Sequence, residues 1–180
     1  QRQMCIRDSM QKHYNVSIDN FLVIGGPCHA EEVALEKLSY LTIGSSNLSL
    51  CKLISAKFKC KYINVNASDD VIGIEYASML KNIFALAVGI SNGLGYGDNY
   101  QSVLVSNSIK EMKRFISKRH KIKRNINNSA YLGDLLVTGY SSFSRNRMFG
   151  NMIGKGYTVR AAQLEMKMVA DCLLYTSPSQ

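Results

Sequence analysis

A lysine in the middle of an apolar helix is the first residue whose position could do chemistry. Lys81 lies within EYASMLKNIFALAVGISNG, with Ala77, Ala85 and Val88 at helical spacing on the same face. A lysine in partly dry surroundings releases its proton more readily, so it can act as a general acid towards a carbonyl oxygen or a general base towards an alcohol. A lysine that packs its stem on the core and extends its ammonium group to water fits the same pattern. The residues alone leave both interpretations open.

The segment SFSRNRMFG brings a second set of chemical groups to the predicted start of a helix. Ser144, Arg145 and Asn146 there supply a hydroxyl, a forked guanidinium and an amide beside the exposed N–H groups of the first helical turn. Such a combination suits a phosphate group. An ordinary polar helix cap with solvated arginines is the alternative, and it is favoured for this motif in isolation.

Further polar residues stand in apolar surroundings. Asp134 lies in LGDLLVTG, with Thr138 four residues later on the same helical face, and Asn82 directly follows the lysine. The acid could accept hydrogen bonds from substrate hydroxyls or position Lys81. An ordinary acidic residue in the first turn of a helix explains Asp134 equally well.

The motif GGPCHAEE, which begins at Gly25, joins a predicted strand to a predicted helix. Backbone N–H groups at such a junction face the carboxyl edge of a sheet, where open α/β sheets bind ligands. His29 is interpreted as a polar residue at the helix start, because no cysteine or acidic partner is evident for it. The glycines of GLGYGD (93–98) follow a helix instead of a strand, so we predict a connection between two helices there and no dinucleotide-binding loop.

The elements that must position these residues fall into two groups. Strands are predicted over 21–26, 40–45 and 61–68, alternating with helices over 29–39 and 47–58. This order predicts a parallel sheet with helices on its faces. After Ser68, the expected N-cap of the next helix, only helices are predicted, over 69–92, 99–120, 129–139, 142–156 and 158–170. The fold class is therefore α/β followed by all-α, with domains at 10–68 and 69–171.

Composition limits the classes of function. The 180 residues carry a net charge of +9 and include five cysteines. The charge favours an anionic partner, and the basic residues concentrate at 110–124 and 144–147. The cysteines form no CxxC pair, so we expect reduced thiols, no metal and a cytoplasmic protein. No apolar stretch is expected to span a membrane, since Lys81 interrupts the best candidate, and no signal peptide is evident. The ends, 1–9 and 172–180, look like translated sequencing-adapter read-through and are set aside.

Taken in order, GGPCHAEE, GIEYASMLKNIFALAVGISNGLGYGDN, YLGDLLVT and SRNRMFGNMIGKG resemble the bacterial NAD(P)-dependent glycerol-3-phosphate dehydrogenase family over residues 12–170. The resemblance implies reduction of dihydroxyacetone phosphate to sn-glycerol 3-phosphate with NAD(H) or NADP(H), feeding glycerophospholipid synthesis. It also implies an amino-terminal Rossmann domain, followed by a helical domain like that of 6-phosphogluconate dehydrogenase. A homodimer is the assembly considered, without metal or nucleic acid.

The same resemblance implies a role for each candidate residue. Lys81 matches the proton donor to the substrate carbonyl and also contacts substrate. The other substrate-binding positions are Gly26, Cys28, Asp134, Ser144, Arg145 and Asn146. Cofactor contacts fall at Ala30, Arg145 and Val169, with an acidic contact expected at Asp171, while Asn82 and Thr138 are supporting polar groups.

Departures from the family pattern also matter. Cys28 stands where a hydroxyl residue is common, and a thiol is a weaker hydrogen-bond donor. Tyr131 replaces a usual glycine, which we expect to be harmless. The glycine-rich dinucleotide fingerprint and a second substrate-binding lysine belong upstream of Gln11 in the family, and the end of the helical domain is missing too. We therefore expect the chain by itself to be catalytically inactive.

Three other functions stay open. A sister dehydrogenase with the same two-domain plan, acting on another 2-hydroxy acid, would also use a lysine on a helix. A basic helical module could bind nucleic acid through residues 110–124, although a solvated helix end explains that run equally well. In a non-catalytic scaffold Lys81 would be replaceable.

Overall fold

The computed structural model describes residues 2–166, with the side chains of 2–7 and 18 excepted. The described chain divides into two compact units. The first takes in residues up to 79 together with 115–134, and the second takes 80–114 together with residues from 135 onward. The predicted domain boundary near Ser68 stays a prediction, as do the foreign ends.

A three-stranded sheet forms the centre of the first unit. Its strands are β1 (Val23–Gly25), β2 (Ser39–Gly44) and β3 (Ile63–Ser68), in the order β1-β2-β3. β2 and β3 run parallel over their full length, as predicted. β1 runs antiparallel to β2, so the expectation of an all-parallel sheet was wrong for this strand.

The reason lies in the short connection between β1 and β2. The helix predicted over 29–39 is only α2 (Ala30–Ala34), and Glu36 adopts a left-handed φ of 54° soon after its end. Five helical residues rise only about 7–8 Å, whereas a six-residue strand spans about 20 Å. The segment therefore cannot return the chain to the opposite end of the sheet, as a parallel crossover requires.

Helix α3 (Leu48–Phe58) covers the parallel pair of strands. Asn47 caps its start by accepting a hydrogen bond from the Leu50 N–H at 3.0 Å. Cys51 is fully buried on its inner face, and its thiol donates to the Ile43 carbonyl oxygen at 2.8 Å. This cysteine is a core residue, as expected of a small apolar side chain.

The long helix α4 (Val71–Gly93) follows β3 directly. Its N-cap is Asp70, whose carboxylate accepts from the Gly73 N–H at 3.0 Å, and not Ser68 as predicted. The Ser68 hydroxyl instead accepts from the Asp70 N–H at 3.1 Å. A carboxylate at this position complements the positive end of the helix dipole.

By length and composition alone, α4 is long and apolar enough to cross a membrane. The expectation that no stretch would meet these two criteria was therefore wrong for this helix. Within the protein, however, α4 supplies much of the core. Ile74, Ala77, Ala85 and Val88 are each at most 1% exposed. An apolar helix buried along one face in this way is typical of the core helix of a globular protein.

The remaining helices follow the predicted order, except for the first of them, which was not predicted. They are α1 (Arg2–Tyr14), α5 (Asp98–Arg119), α6 (Asp134–Tyr140), α7 (Arg145–Gly154) and α8 (Val159–Glu165), with a short 3-10 turn at Ile18–Asn20 and a π-helical turn at Ser129–Gly133 directly before α6. Residues 94–97 connect α4 to α5, with Gly95 at a φ of 81°, so GLGYGD is a helix connection as predicted.

In the second unit, glycines bring α7 very close to α4. A Cβ atom added at Gly150 would lie 2.2 Å from the Leu86 carbonyl oxygen, and one at Gly89 would lie 2.1 Å from the Arg147 carbonyl oxygen. Both neighbours are backbone atoms, which cannot rotate away. The absence of side chains at these glycines therefore allows the first turns of α7 to pack closely against the middle of α4.

Replacing Gly150 by alanine is expected to destabilise the protein towards the upper end of about 1–3 kcal/mol, because the two helices must separate to admit the methyl group. Urea unfolding of wild type and variant measures the difference. Gly97→Ala is the matched control, since no heavy atom lies within 4 Å of its Cβ position. Equal losses at the two positions would show that the close approach of α4 and α7 does not contribute to stability.

Candidate functional site

Two of the predicted substrate contacts meet in the first unit. Asp134 is 2% exposed, and its Oδ2 accepts a hydrogen bond from the Gly26 N–H at 3.3 Å. Gly26 has a φ of 118°, and a Cβ atom there would lie 2.7 Å from the Tyr40 carbonyl oxygen. Only glycine fits this position without strain. The buried carboxylate is thus held at the turn that ends β1.

Cys28 and Ala30 lie in the same connection as Gly26. Burial raises the pKa of the Cys28 thiol, the nearby Asp134 carboxylate adds to that rise, and the Ser39 hydroxyl opposes it. The thiol consequently keeps its proton at neutral pH, which makes it a weak hydrogen-bond donor and a poor nucleophile. Ala30 is exposed at the first position of α2, directly after the N-cap residue His29.

In the second unit, Lys81 is half-buried on α4 and Asn82 beside it is equally so. Ala85 and Val88, on the same face as the lysine, are fully buried. Thr138 lies on α6 and is 7% exposed. The lysine therefore emerges from an apolar face, as its spacing predicted, and it keeps partial access to solvent.

The amino terminus of α7 carries the predicted phosphate-binding set. Ser144 is its N-cap, and its hydroxyl accepts from the Arg147 N–H at 3.4 Å. Asn146 is 3% exposed and Arg145 is half-buried. The Nε of Arg147 is buried, and no hydrogen-bond partner for it exists within the described residues. Arg147 was not predicted as a site residue. The sequence analysis allowed that the arginines of this motif are solvated, and nothing in the spacing marked Arg147 as buried.

The packing of α7 places this terminus along α4. Gly89, which meets the Arg147 backbone, follows Lys81 by eight residues on the same helix, about 12 Å along the axis. Lys81 and the start of α7 therefore belong to the same packed pair of helices. Val169 and Asp171, the last predicted cofactor contacts, lie outside the described residues.

A buried polar cluster in the first unit was not predicted. The Asp70 carboxylate accepts from Arg124 Nη2 at 2.8 Å, from Arg124 Nε, and from the Tyr131 hydroxyl at 2.5 Å, and His120 Nδ1 lies 3.3 Å away. The side chains of Asp70 and Arg124 are each 5% exposed. A buried ion pair with this many hydrogen bonds is unlike an exposed pair, which contributes little.

The charges of this cluster shift one another's proton affinities. Burial on its own would raise the pKa of Asp70, but the hydrogen bonds from Arg124 and Tyr131 outweigh it and hold that pKa below its usual value. The bond to Asp70 raises the pKa of Arg124. Burial and the adjacent carboxylate raise the pKa of the Tyr131 hydroxyl, so it remains a donor. Asp70 and Arg124 are therefore charged throughout the neutral range.

Neither a metal nor a nicotinamide can be assigned from the geometry alone. Among the side chains that the structure describes, no group of three histidine, cysteine or acidic residues could hold a metal ion. Of the predicted cofactor contacts, Ala30 is exposed at the start of α2 and Arg145 is half-buried at the start of α7.

Comparison with known proteins settles the family. The model of the NAD-dependent glycerol-3-phosphate dehydrogenase C-terminus matches residues 70–177. The chain belongs to this family. The chain is also similar to glycerol-3-phosphate dehydrogenase (NAD(P)+) of Bacillus velezensis, 38% identical over 84% of this chain and 44% of the relative. For the Staphylococcus aureus enzyme the identity is 37%, over 97% of this chain and 51% of the relative.

Solved structures of glycerol-3-phosphate dehydrogenases agree. The Coxiella burnetii enzyme superposes with a TM-score of 0.81 at 34% identity, over 86% of this chain and 48% of that chain. The Dunaliella salina enzyme gives a TM-score of 0.78 at 26% identity, over 87% of this chain and 27% of that chain. The predicted family and fold class are thereby confirmed. This chain spans about half the length of the curated relatives that it matches.

Proposed function

We propose that this glycerol-3-phosphate dehydrogenase family chain forms the second half of an enzyme that reduces dihydroxyacetone phosphate to sn-glycerol 3-phosphate. The start of α7 is the observation that carries this proposal. Helix N–H groups, Ser144, Arg145, the buried Asn146 and the Nε of Arg147, which has no partner within the described residues, together suit a phosphate group. A phosphorylated substrate distinguishes this reaction from that of a sister 2-hydroxy-acid dehydrogenase.

Lys81 is the proposed proton donor. When bound, NADH or NADPH supplies the hydride, and the carbonyl oxygen then needs a proton. The Lys81 ammonium, half-buried on α4, can donate that proton, and in the reverse direction the amine accepts it from the alcohol. Asn82 and Thr138 support the lysine and the substrate as polar neighbours.

Three further substrate-binding residues are proposed in the first unit: Gly26, Cys28 and Asp134. The Asp134 carboxylate accepts a hydrogen bond from the Gly26 N–H, and we propose that it also binds a substrate hydroxyl. Cys28 adds a weak donor from the same connection. Ala30 and Arg145 are the proposed cofactor contacts among the described residues, with Val169 as a third.

The wider setting follows from this reaction. We propose a cytoplasmic enzyme that supplies glycerol phosphate for glycerophospholipid synthesis, works without metal and acts as a homodimer. The small phosphorylated substrate and the nicotinamide cofactor are both anionic, which explains the positive net charge of the chain. We propose no nucleic-acid partner.

The test is a substrate comparison on the full-length enzyme that contains this chain. Oxidation of NADH and of NADPH is followed with dihydroxyacetone phosphate, with unphosphorylated dihydroxyacetone and with 2-keto acids. Turnover confined to the phosphorylated ketone is expected, and the 180-residue chain assayed alongside is expected to be inactive, because it has no dinucleotide-binding fingerprint. Turnover of a 2-keto acid instead would move the protein to the sister class.

A further inference from the structure

A cavity of about 460 Å³ opens in the first unit beside the buried Asp70 cluster. Its walls come from the carboxyl half of β3, including Asn66, and from the loop segments 122–125 and 128–131. Open α/β sheets bind ligands at the carboxyl ends of their parallel strands. None of the proposed substrate or cofactor residues is among those that line it.

The cavity wall contains a buried donor with no acceptor. The side chain of Arg124 is 5% exposed and lines the cavity, and its Nη1 has no hydrogen-bond partner within the described residues. A buried guanidinium nitrogen left in this state costs free energy, because its bonds to water are lost and not replaced.

The neighbouring carboxylate cannot supply that acceptor. Oδ1 of Asp70 already faces Arg124 Nη2, the Gly73 N–H and His120 Nδ1, and Oδ2 faces Arg124 Nε and the Tyr131 hydroxyl. With both oxygens occupied, the cluster has more donors than acceptors. An acceptor for Nη1 therefore has to come from outside the cluster, and Arg124 lines the cavity.

We propose that this cavity is a binding site for a small molecule carrying a carboxylate or phosphate group, whose oxygen accepts from Nη1 of Arg124. Two acidic residues, Asp69 and Asp70, and two basic residues, Lys123 and Arg124, line the cavity, so their formal charges sum to zero. Asn125, Asn128 and Ser129 offer further polar groups. The volume lies within the range of metabolite sites.

Binding is measured by calorimetry on the full-length protein at fixed ionic strength, with inorganic phosphate and with malonate as probes. Asn66→Asp places a negative charge on the cavity wall, and the aspartate side chain has almost the same shape as asparagine. The substitution leaves the buried Asp70–Arg124 ion pair unchanged. It is expected to weaken binding of the preferred probe at least about tenfold. Asn107→Asp, on the exposed surface of α5 in the other unit, is the matched control and should bind as wild type does.

A second variant addresses Arg124 directly, and a third separates this site from the substrate site. Arg124→Lys keeps the charge but removes the forked nitrogens, so a folded Arg124→Lys protein should also lose binding. Arg145→Met removes the proposed contact to substrate phosphate. It should weaken any phosphate binding at the start of α7 and leave unchanged the binding that Asn66→Asp weakens.

Each result decides the question. Preference for phosphate or for malonate identifies which group the site takes. If Asn66→Asp weakens no binding event in the Arg145→Met background, the anion binds elsewhere and the proposal is overturned. The absence of binding by both probes would overturn it as well. None of these measurements depends on enzyme turnover, so the proposal can fail while the proposed reaction stands, and the reverse.

Discussion

Replacing Lys81 by methionine in the full-length enzyme is expected to lower kcat for reduction of dihydroxyacetone phosphate by about 10²- to 10⁴-fold, the usual contribution of a positioned general acid. The lysine emerges half-buried from the apolar face of α4. Methionine retains an unbranched apolar stem against the buried Ala85 and Val88, so the helix should pack as before. The substitution removes the ammonium group, and with it the positive charge and the proton that the reaction needs.

Steady-state kinetics with NADH or NADPH checks this expectation, together with a thermal melt that verifies folding. Lys113→Met is the matched control, because Lys113 is exposed on α5 and has no assigned role. Lys81→Arg keeps a cation but cannot release its proton at neutral pH, so it should also be slow, with KM altered less than kcat. Wild-type rates in a folded Lys81→Met enzyme would remove this residue from the proton-transfer step.

The sequence predicted those features that depend on local spacing. Helical periodicity put Lys81 on an apolar face, and the residues that share this face are buried. The pattern of a serine followed by polar residues placed a helix start at Ser144, which is the N-cap of α7. Both predictions use positions within about one or two turns of a helix, where the chain itself fixes the geometry.

Features that depend on distant segments could not be predicted in this way. The direction of β1 depends on how far α2 extends, and a left-handed residue, Glu36, follows the end of that helix too early for a crossover. Glutamate is not a typical residue for that conformation, so no turn signal marked it. The segment predicted as an eleven-residue helix over 29–39 contains only the short helix α2, after which the chain reverses direction.

The Asp70 cluster was hidden for a similar reason. Asp70 resembled an ordinary first-turn acid, Arg124 one member of a solvated basic run, and Tyr131 a neutral replacement for glycine. Their partners lie 54 and 61 residues away along the chain, so only the fold brings them together. An arginine at the end of a basic run followed by asparagines, instead of further lysines, was the one available sign.

Asp70→Asn is expected to cost about 3–5 kcal/mol of the free energy of unfolding, the usual loss when one member of a buried ion pair is removed. Asparagine has nearly the same shape, but it leaves the Arg124 guanidinium, 5% exposed, without a counter-charge. The NH₂ group of the asparagine amide would also face the Arg124 and Tyr131 donors, which then lack an acceptor. Denaturant unfolding at neutral pH measures the loss.

The control and the pH dependence make this prediction specific. Asp69 is the exposed neighbour, so Asp69→Asn should change stability by no more than about 0.5 kcal/mol. Because the folded pKa of Asp70 lies below its ordinary value of 3.8, its contribution is complete above that value and is lost as pH falls through the folded pKa. The gap between wild type and Asp70→Asn should therefore persist at about pH 5 to 8 and close only in stronger acid. A gap that closed already near pH 6 would mean that the carboxylate is not held ionised by Arg124 and Tyr131.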